Sequence, residues 1–532
     1  MILSSSGDPI PAADVCVVGA GPAGLALAFK LHDCGLSVVI LEAGPDNDTR
    51  PNSTSKTEYM TQNHAASNFT TGSGLGGTTT LWGGRCVTYD DLDFERRQHV
   101  PFSGWPIQHS QVSRYYDEAF TFLQCGTGLV PRLATDADEA VHLNAIERWS
   151  KNRTLGPFYR QKIEKLERIT LVTGARVTEI SMNPDGERVS SVRVCRAEQS
   201  ETVAATIFVL AAGGLETVRL LLSLQEHQPQ LLGGRNGPLG RFYQGHLTGY
   251  LALMEITSAE LAQDLSFQTD EHGHVFRRRM QLSPEHQLKE EVLNTVFWTD
   301  AISLSDPRHG SGTLSLIYLI LLFSGTYRLL SRGLAPRTRP AARGEVRTHL
   351  RNIASQDLSL RKVARSLAQL WGGKKRRMLV NPANRYLLRY HAEQTPSEHS
   401  RVQLRNTDTG FVLSVDYHAG KDDAQSVLRS HALLDNWLQQ NGLGKLEYLH
   451  EEAGREQAVL DQALDGYHQI GLARMSTSSS QGIVDGNCKA HDIANLYLAG
   501  ASVFATGSQA NPTLPAVALA LRLGDHLAEL VR

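Results

Sequence analysis

The chain has 532 residues, 41% hydrophobic and 20% charged, which describes a globular protein of two or three structural domains. Its formal net charge of -2 gives no electrostatic footprint for nucleic acid. Six cysteines (Cys16, Cys34, Cys86, Cys125, Cys195, Cys488) lie scattered without a CxxC pair, so reduced thiols in the cytoplasm and no bound metal are expected.

The first twelve residues, MILSSSGDPIPA, lack a basic stretch followed by an apolar one, so no signal peptide is expected. Asp14 to Val18 (DVCVV) is a β-branched run leading into the turn GAGPAG, Gly19 to Gly24. A helical segment follows from Ala23 to Cys34, then a second strand from Ser37 to Leu41 that ends at Glu42. Strand, glycine turn, helix, strand and acid in this order form a dinucleotide-binding unit. Gly19 permits the tight turn, Gly21 lets the backbone approach a pyrophosphate, and Gly24 lets helix and strand pack closely. The helix N-terminus offers free N–H groups to phosphate, and Glu42 is placed to accept from a ribose diol.

Gly72 to Gly84 reads GSGLGGTTTLWGG. By composition alone it is a linker, a phosphate loop or a bed for a flat ligand. Farther on, Ile169 to Val172 is a strand, and Val177 to Met182 and Val189 to Arg196 flank an NPDG turn that predicts a hairpin. Ala204 to Leu210 is a further strand running into AAGGLETVRLLL, with a helix from about Leu215; small residues at a strand's carboxyl end admit a cofactor or another backbone. The most apolar run, Leu314 to Phe323, has ten residues, against roughly twenty for a bilayer span. Arg328 to Arg377 then carries fourteen Lys or Arg and only two acids, Glu345 and Asp357. That run is a solvated surface or, next to the apolar run, a membrane-surface or anionic-partner patch within 314–378. Near the carboxyl end, Asn495 to Ala499 is a strand followed by Gly500 and Ala501, and Pro512 opens an apolar helix from about Thr513.

GAGPAG with Glu42, GLGGTTTLWGG, SGWPI from Ser103, AAGGLETVRLLL, HQIGLARM from His468 and LYLAGASVFATGSQANPTLPAVALAL stand in one order along most of the chain. Together they resemble the glucose–methanol–choline (GMC) family of FAD-dependent oxidoreductases, in motif style nearest its pyranose-oxidase and sugar- or polyol-dehydrogenase branch. The resemblance implies an α/β fold, α+β overall: a Rossmann-like FAD-binding domain with a three-stranded β-meander, and a substrate domain of antiparallel sheet with helices. The FAD-binding domain would take 10–94, 160–235 and 456–532, and the substrate domain 95–159 and 236–455. Cofactor contacts are implied for Gly19, Ala20, Gly21, Pro22, Ala23, Gly24, Glu42 and Ala43 in the first unit. Gly76, Gly77, Thr79, Thr80, Leu81, Trp82, Gly83 and Gly84 would lie along the flavin, joined by Val177, Ala212, Gly213, Gly500, Ala501, Pro512 and Thr513.

The implied reaction is oxidation of an alcohol to a carbonyl by proton abstraction and hydride transfer to flavin N5, with oxygen or another acceptor taking the electrons. His468 falls on the family's base and Asn511 on its partner, placed to hold the substrate oxygen. A sugar, glycoside or polyhydroxylated metabolite is the expected substrate. A lipophilic or carrier-linked alcohol, or a non-redox FAD-containing lyase, are the alternatives. In the pyranose-oxidase pattern a histidine before the tryptophan carries the flavin covalently; here Leu81 stands there, so dissociable FAD is expected.

Overall fold

The computed structural model describes residues 1–4, 8–45, 56–127, 130, 133, 140–152, 154–324, 346–355, 358–371, 381–408 and 410–531. Its first layer is built from short β-branched runs with little polar alternation, the pattern of strands covered on both faces. They form a parallel sheet in the order Ile2–Leu3, Ile169–Val172, Val38–Leu41, Ala13–Val18, Ala205–Leu210, Leu496–Leu498. Val17 lies between Ile40 and Val209, and Val15, Cys16 and Val17 are completely buried. The edge strand Ile2–Leu3 is an addition to the sequence reading, which left the first residues unassigned. Helix Pro22–Asp33 packs against helix Thr513–Val531, close enough that a Cβ on Gly524 would meet Lys30 Cγ at 2.6 Å. Strands Arg176–Met182, Val189–Arg196 and Gln199–Val203 make the antiparallel meander, turning at Gly186 with φ +74°.

A second, antiparallel sheet runs Gly444–Tyr448, His246–Ile256, Arg385–Glu393, Thr295–Asp300, Val275–Leu282, Val141–Trp149, Arg85–Cys86. One face packs Met280, Phe297 and Leu388 against Leu434 and Trp437 of helix Lys421–Gln440 and Val459 of helix Arg455–Gln462. Strand alternation sends the intervening residues to the opposite face. There His391 and Arg279 reach Gln509, in the loop before helix Thr513–Val531. The expected α/β class, Rossmann-like layer with meander plus antiparallel substrate sheet, holds.

The domain partition needs three corrections. Trp105, Tyr115 and Tyr116, placed by sequence in the substrate domain, belong to the first core, because the helix Tyr116–Phe122 packs on Thr513–Val531. Strand Arg401–Thr407 and its neighbour Gly410–Asp416 also join it, burying Val402 and Val415 and pairing in parallel with Thr57–Tyr59. Conversely, Arg85 and Cys86 pair with Trp149 and Arg148 in the substrate sheet. The apolar run forms helix Gly312–Phe323, whose Leu314 and Ile317 pack with Ile353 and Leu367 of helices Val346–Ser355 and Leu360–Trp371. Its Ile320 and Phe323 are exposed. Residues 325–345 and 372–380 of the basic segment lie outside the described residues. Among the described residues no helix is long and apolar enough to cross a membrane.

The two layers are clamped by a buried ion pair. Arg97 donates to both carboxylate oxygens of Glu393 at 2.7 and 2.6 Å, and both side chains are at most 1% exposed. Removing one partner strands a desolvated charge. Arg97→Met should therefore lower the unfolding free energy by about 3–5 kcal/mol, read by chemical denaturation, whereas a loss below about 1 kcal/mol would show the pair to be dispensable.

Candidate active site

Three helix N-termini meet at one cleft: Pro22 of the first helix, Gly214 of helix Gly214–His227, and Thr513 of the last. The first two are capped by glycines, Gly21 and Gly213, which offer no capping side chain, and at the second the Leu215 amide donates to the Gln469 side-chain oxygen at 3.0 Å. The cleft takes in about 1460 Å³ when the open solvent at its mouth is counted. The glycine turn fits a dinucleotide on steric grounds. A Cβ on Gly19 (φ +107°) would lie 2.6 Å from the Ala211 carbonyl oxygen, and one on Gly24 would lie 2.2 Å from that of Gly19. A Cβ on Gly21 would meet nothing within 4 Å, so this glycine keeps the cleft floor open instead of packing the fold.

Gly19, Gly21, Pro22, Ala23, Glu42, Ala43, Gly77, Val177, Ala212, Gly213, Gly500, Ala501, Pro512 and Thr513 all line the cleft. Ala20 and Gly24 stand behind the turn, Ala20 through its amide on Glu42. Glu42 itself is 5% exposed and accepts from Ala20 (2.8 Å), Gly44 (2.8 Å) and Gly74 (2.7 Å). Burial pushes its carboxyl above the ordinary value, against the pull of those amides. Its first task is thus to stitch the glycine turn to the loop from Gly72, with spare lone pairs for a ribose hydroxyl.

The glycine loop is neither a linker nor a flat bed along its whole length. Gly77 faces Gly21, where a Cβ would lie 3.0 Å from its Cα, and the Gly76 amide donates to the Ala20 carbonyl at 2.9 Å. Gly77–Thr80 is one turn of 3-10 helix, and this turns Thr79 inward and Thr78 outward into the cleft. The Thr79 and Thr80 hydroxyls donate to the Gly76 and Gly77 carbonyls at 2.6 and 3.1 Å and so brace the turn of their own loop. Leu81 and Trp82 pass out of the cleft lining, Gly83 is exposed, and the Gly84 carbonyl accepts from Ser150 at 2.8 Å where the chain enters the substrate sheet.

His468 and Asn511, 43 residues apart, meet with His468 Nε2 and Asn511 Nδ2 separated by 2.9 Å. Behind them stand residues that the sequence reading passed over. His468 Nδ1 lies 3.0 Å from Asp465 Oδ2 and 2.9 Å from His246 Nδ1. His246 Nε2 approaches the Gly507 carbonyl at 3.3 Å, so its proton is on Nε2 and its Nδ1 accepts. His468 therefore carries its proton on Nδ1, shared by Asp465 and His246, and its Nε2 presents a lone pair to Asn511. His391 stacks on His246 with ring centroids 4.3 Å apart and gives its Nδ1 to the Gln509 carbonyl at 2.7 Å.

Nitrogen atoms of His246, His391 and His468 lie within 4.8 Å of one another. The hydrogen bonds just described account for that approach as a chain of donors and acceptors. Burial opposes the charge on Asp465, yet the charge of His468 and the hydrogen bond from its ring hold the carboxyl well below the usual value. Burial, opposed by Asp465, lowers His246, and burial with the charges of His246 and His468 lowers His391 further. The D-x-x-H spacing of Asp465 and His468 was visible as a signal; His246 and His391 come from strands with none.

A sequence-family model described as GMC oxidoreductase matches residues 396–520, and one described as lycopene cyclase protein matches residues 14–92, the glycine turn and its loop. The chain is 21% identical to 2-methyl-1,2-propanediol dehydrogenase of Mycolicibacterium austroafricanum, over 97% of this chain and 95% of that protein. Among solved structures it is similar to pyridoxine 4-oxidase from Mesorbium loti (18% identity, TM-score 0.51, covering 96% and 98% of the two chains). It is similar also to an FAD-dependent oxidoreductase from Chaetomium thermophilum (16%, TM-score 0.55, 98% and 100%). These matches support an FAD-dependent oxidoreductase of the GMC family, with the family's own pattern carried by residues 396–520.

The open position at Gly21 separates fold from cofactor. Its φ of -71° is one an alanine adopts, so Gly21→Ala should cost the apoprotein no more than about 1 kcal/mol. FAD affinity, read by fluorescence titration, should fall at least about tenfold because the methyl group enters the cleft. Unchanged affinity would move the pyrophosphate elsewhere.

Proposed function

We propose that His468 is the base that takes the hydroxyl proton of a polyhydroxylated substrate, with Asn511 holding the substrate oxygen. The observation carrying this reading is the hydrogen-bond chain that leaves His468 Nε2 as an acceptor facing Asn511. FAD, when bound, supplies the two-electron acceptor for the hydride leaving the alcohol carbon. Gly21, Thr78 and the helix N-termini at Pro22, Gly214 and Thr513 would hold it. A substrate hydroxyl donating to Nε2 replaces the Asn511 amide there and gives up its proton as the alcohol is oxidised. The proton on Nε2 creates an imidazolium that Asp465 stabilises from the Nδ1 side. The Asn511 amide then donates to the oxygen left behind. The diol dehydrogenase among the relatives supports a substrate with neighbouring hydroxyls.

The cofactor is proposed to be dissociable. Leu81 offers no nucleophile, and the described cleft-lining residues include neither histidine nor cysteine. Acid precipitation should leave the yellow colour in the supernatant; colour held in the pellet means a covalent bond.

His468→Ala should keep FAD and lose roughly 10²–10⁴ in the rate of anaerobic flavin bleaching by substrate, and undiminished bleaching removes the assignment. Asp465 provides the pH test. Its folded value is depressed below 3.8, so its stabilisation is complete above that value and lost on acidification through the lower folded one. Its carboxylate favours a proton on the histidine cluster. In Asp465→Asn the acid limb of kcat/KM against pH should move to lower pH, while a limb that stays in place would detach Asp465 from the base.

A further inference from the structure

The face of the substrate sheet that looks toward Gln509 carries four arginines from three strands: Arg85, Arg277, Arg279 and Arg389. Three of them are gathered round one indole, and Arg279 stands beside them on the strand of Arg277. The guanidiniums of Arg85, Arg277 and Arg389 lie 4.5, 4.9 and 5.8 Å from the Trp298 ring, and Trp298 is 1% exposed. Two carboxylates answer them. Glu147 pairs with Arg277 and lies 3.2 Å from Arg85, and Asp300 lies 3.6 Å from Arg277.

Arg279 and Arg389 are left with neutral partners, the Gln509 side-chain oxygen at 2.8 Å and the Thr248 hydroxyl at 3.3 Å. Arg279 is 2% exposed, and its Nε is buried without a hydrogen bond. Glu147 and Asp90 act on Arg279 only without contact, and a buried guanidinium with no carboxylate bonded to it is expensive, so a fold retains it where something else supplies the anion. The cluster adjoins the proposed base. Gln509 accepts from Arg279 through its side chain and from His391 through its carbonyl, and the His391 and His468 rings are 5.7 Å apart. None of the four arginines lines the dinucleotide cleft, so the cofactor phosphates do not account for them.

We propose that Arg279 and Arg389 form an oxyanion subsite, so that the alcohol oxidised at His468 belongs to a molecule that also carries a carboxylate or a phosphate. This rests on the alcohol-oxidation reading and names its substrate class. The planar, forked guanidinium suits either oxyanion, and the ring faces of Trp298 and Tyr250 hold Arg389 in place. A neutral sugar needs none of this charge, because hydroxyls are satisfied by amides, carboxylates and single cations. Burial and the neighbouring guanidiniums, against the pull of Glu147, bring Arg85 down to about 10, so its guanidinium stays cationic at neutral pH.

The test is calorimetric titration of the oxidised holoenzyme at low ionic strength with sodium phosphate and, separately, sodium malonate, with sodium chloride as the matched control. Saturable binding of at least one, roughly millimolar or tighter, is expected. Phosphate preferred over malonate points to a phosphorylated alcohol, and the reverse to a hydroxy acid. Arg279→Gln and Arg389→Gln should each weaken that binding at least about tenfold, and Arg389→Lys should restore part of it. Arg193→Gln, on the exposed meander, should leave it unchanged. Heats no larger than those of chloride, or equal affinities in wild type and both glutamine variants, overturn the subsite. Because the titration needs no turnover, His468→Ala should still bind the anion, so the two readings fail separately.

Discussion

The site depends on one buried carboxylate. Asp465 accepts from the amides of His246 (2.6 Å), Tyr467 (2.8 Å) and His468 (3.2 Å) and from the His468 ring at 3.0 Å. His246 begins a strand of the substrate sheet, whereas His468 stands in the loop leading back to the parallel layer, so a single side chain fixes the spacing between them. Its own peptide is held in turn, donating to the Asn63 carbonyl and accepting from the Ala65 amide. The local backbone is shaped to let this happen. Gly466 has φ +112°, and a Cβ on Gly245 would come within 2.7 Å of the Asp465 carboxylate. A charge so thoroughly satisfied by donors stays ionised despite its burial, which is what an imidazole base requires behind it.

Local patterns in the sequence were enough for the parallel layer. The runs around Val15, Ile40, Leu171 and Val209 are continuous and apolar because both faces are covered, and glycine marks the turns where no Cβ fits. The pairing of His468 with Asn511 was implied by the resemblance to the GMC family rather than by any local pattern. Cleft residues beside strand ends and helix starts, such as Gly213 and Thr513, came with the same motifs.

What lay hidden was decided by contacts distant in sequence. A 3-10 turn reverses which threonine of three faces the cleft, and no composition rule distinguishes that turn from an extended loop. The aromatic residues around Tyr115 moved to the first core because the last helix offers them a surface, a fact absent from their own neighbourhood. Arg279 and Arg389 read as ordinary strand positions; only their gathering with Arg85 and Arg277 on one face of the sheet makes their charge conspicuous. The same is true of His391, which is an unremarkable strand histidine until it stacks on His246.

The strand order of the parallel layer has a consequence for biosynthesis. Ala205–Leu210 is flanked on its open side by Leu496–Leu498, and the first helix is covered by Thr513–Val531. Nearly three hundred residues, including most strands of the substrate sheet, are translated between those neighbours. The nascent chain must keep half of a hydrophobic layer waiting until residues 496–531 have left the ribosome, and the cradle for the cofactor closes only then. Exposed apolar strands of that age are what chaperones recognise, and the flavin is recruited by a finished chain rather than a growing one.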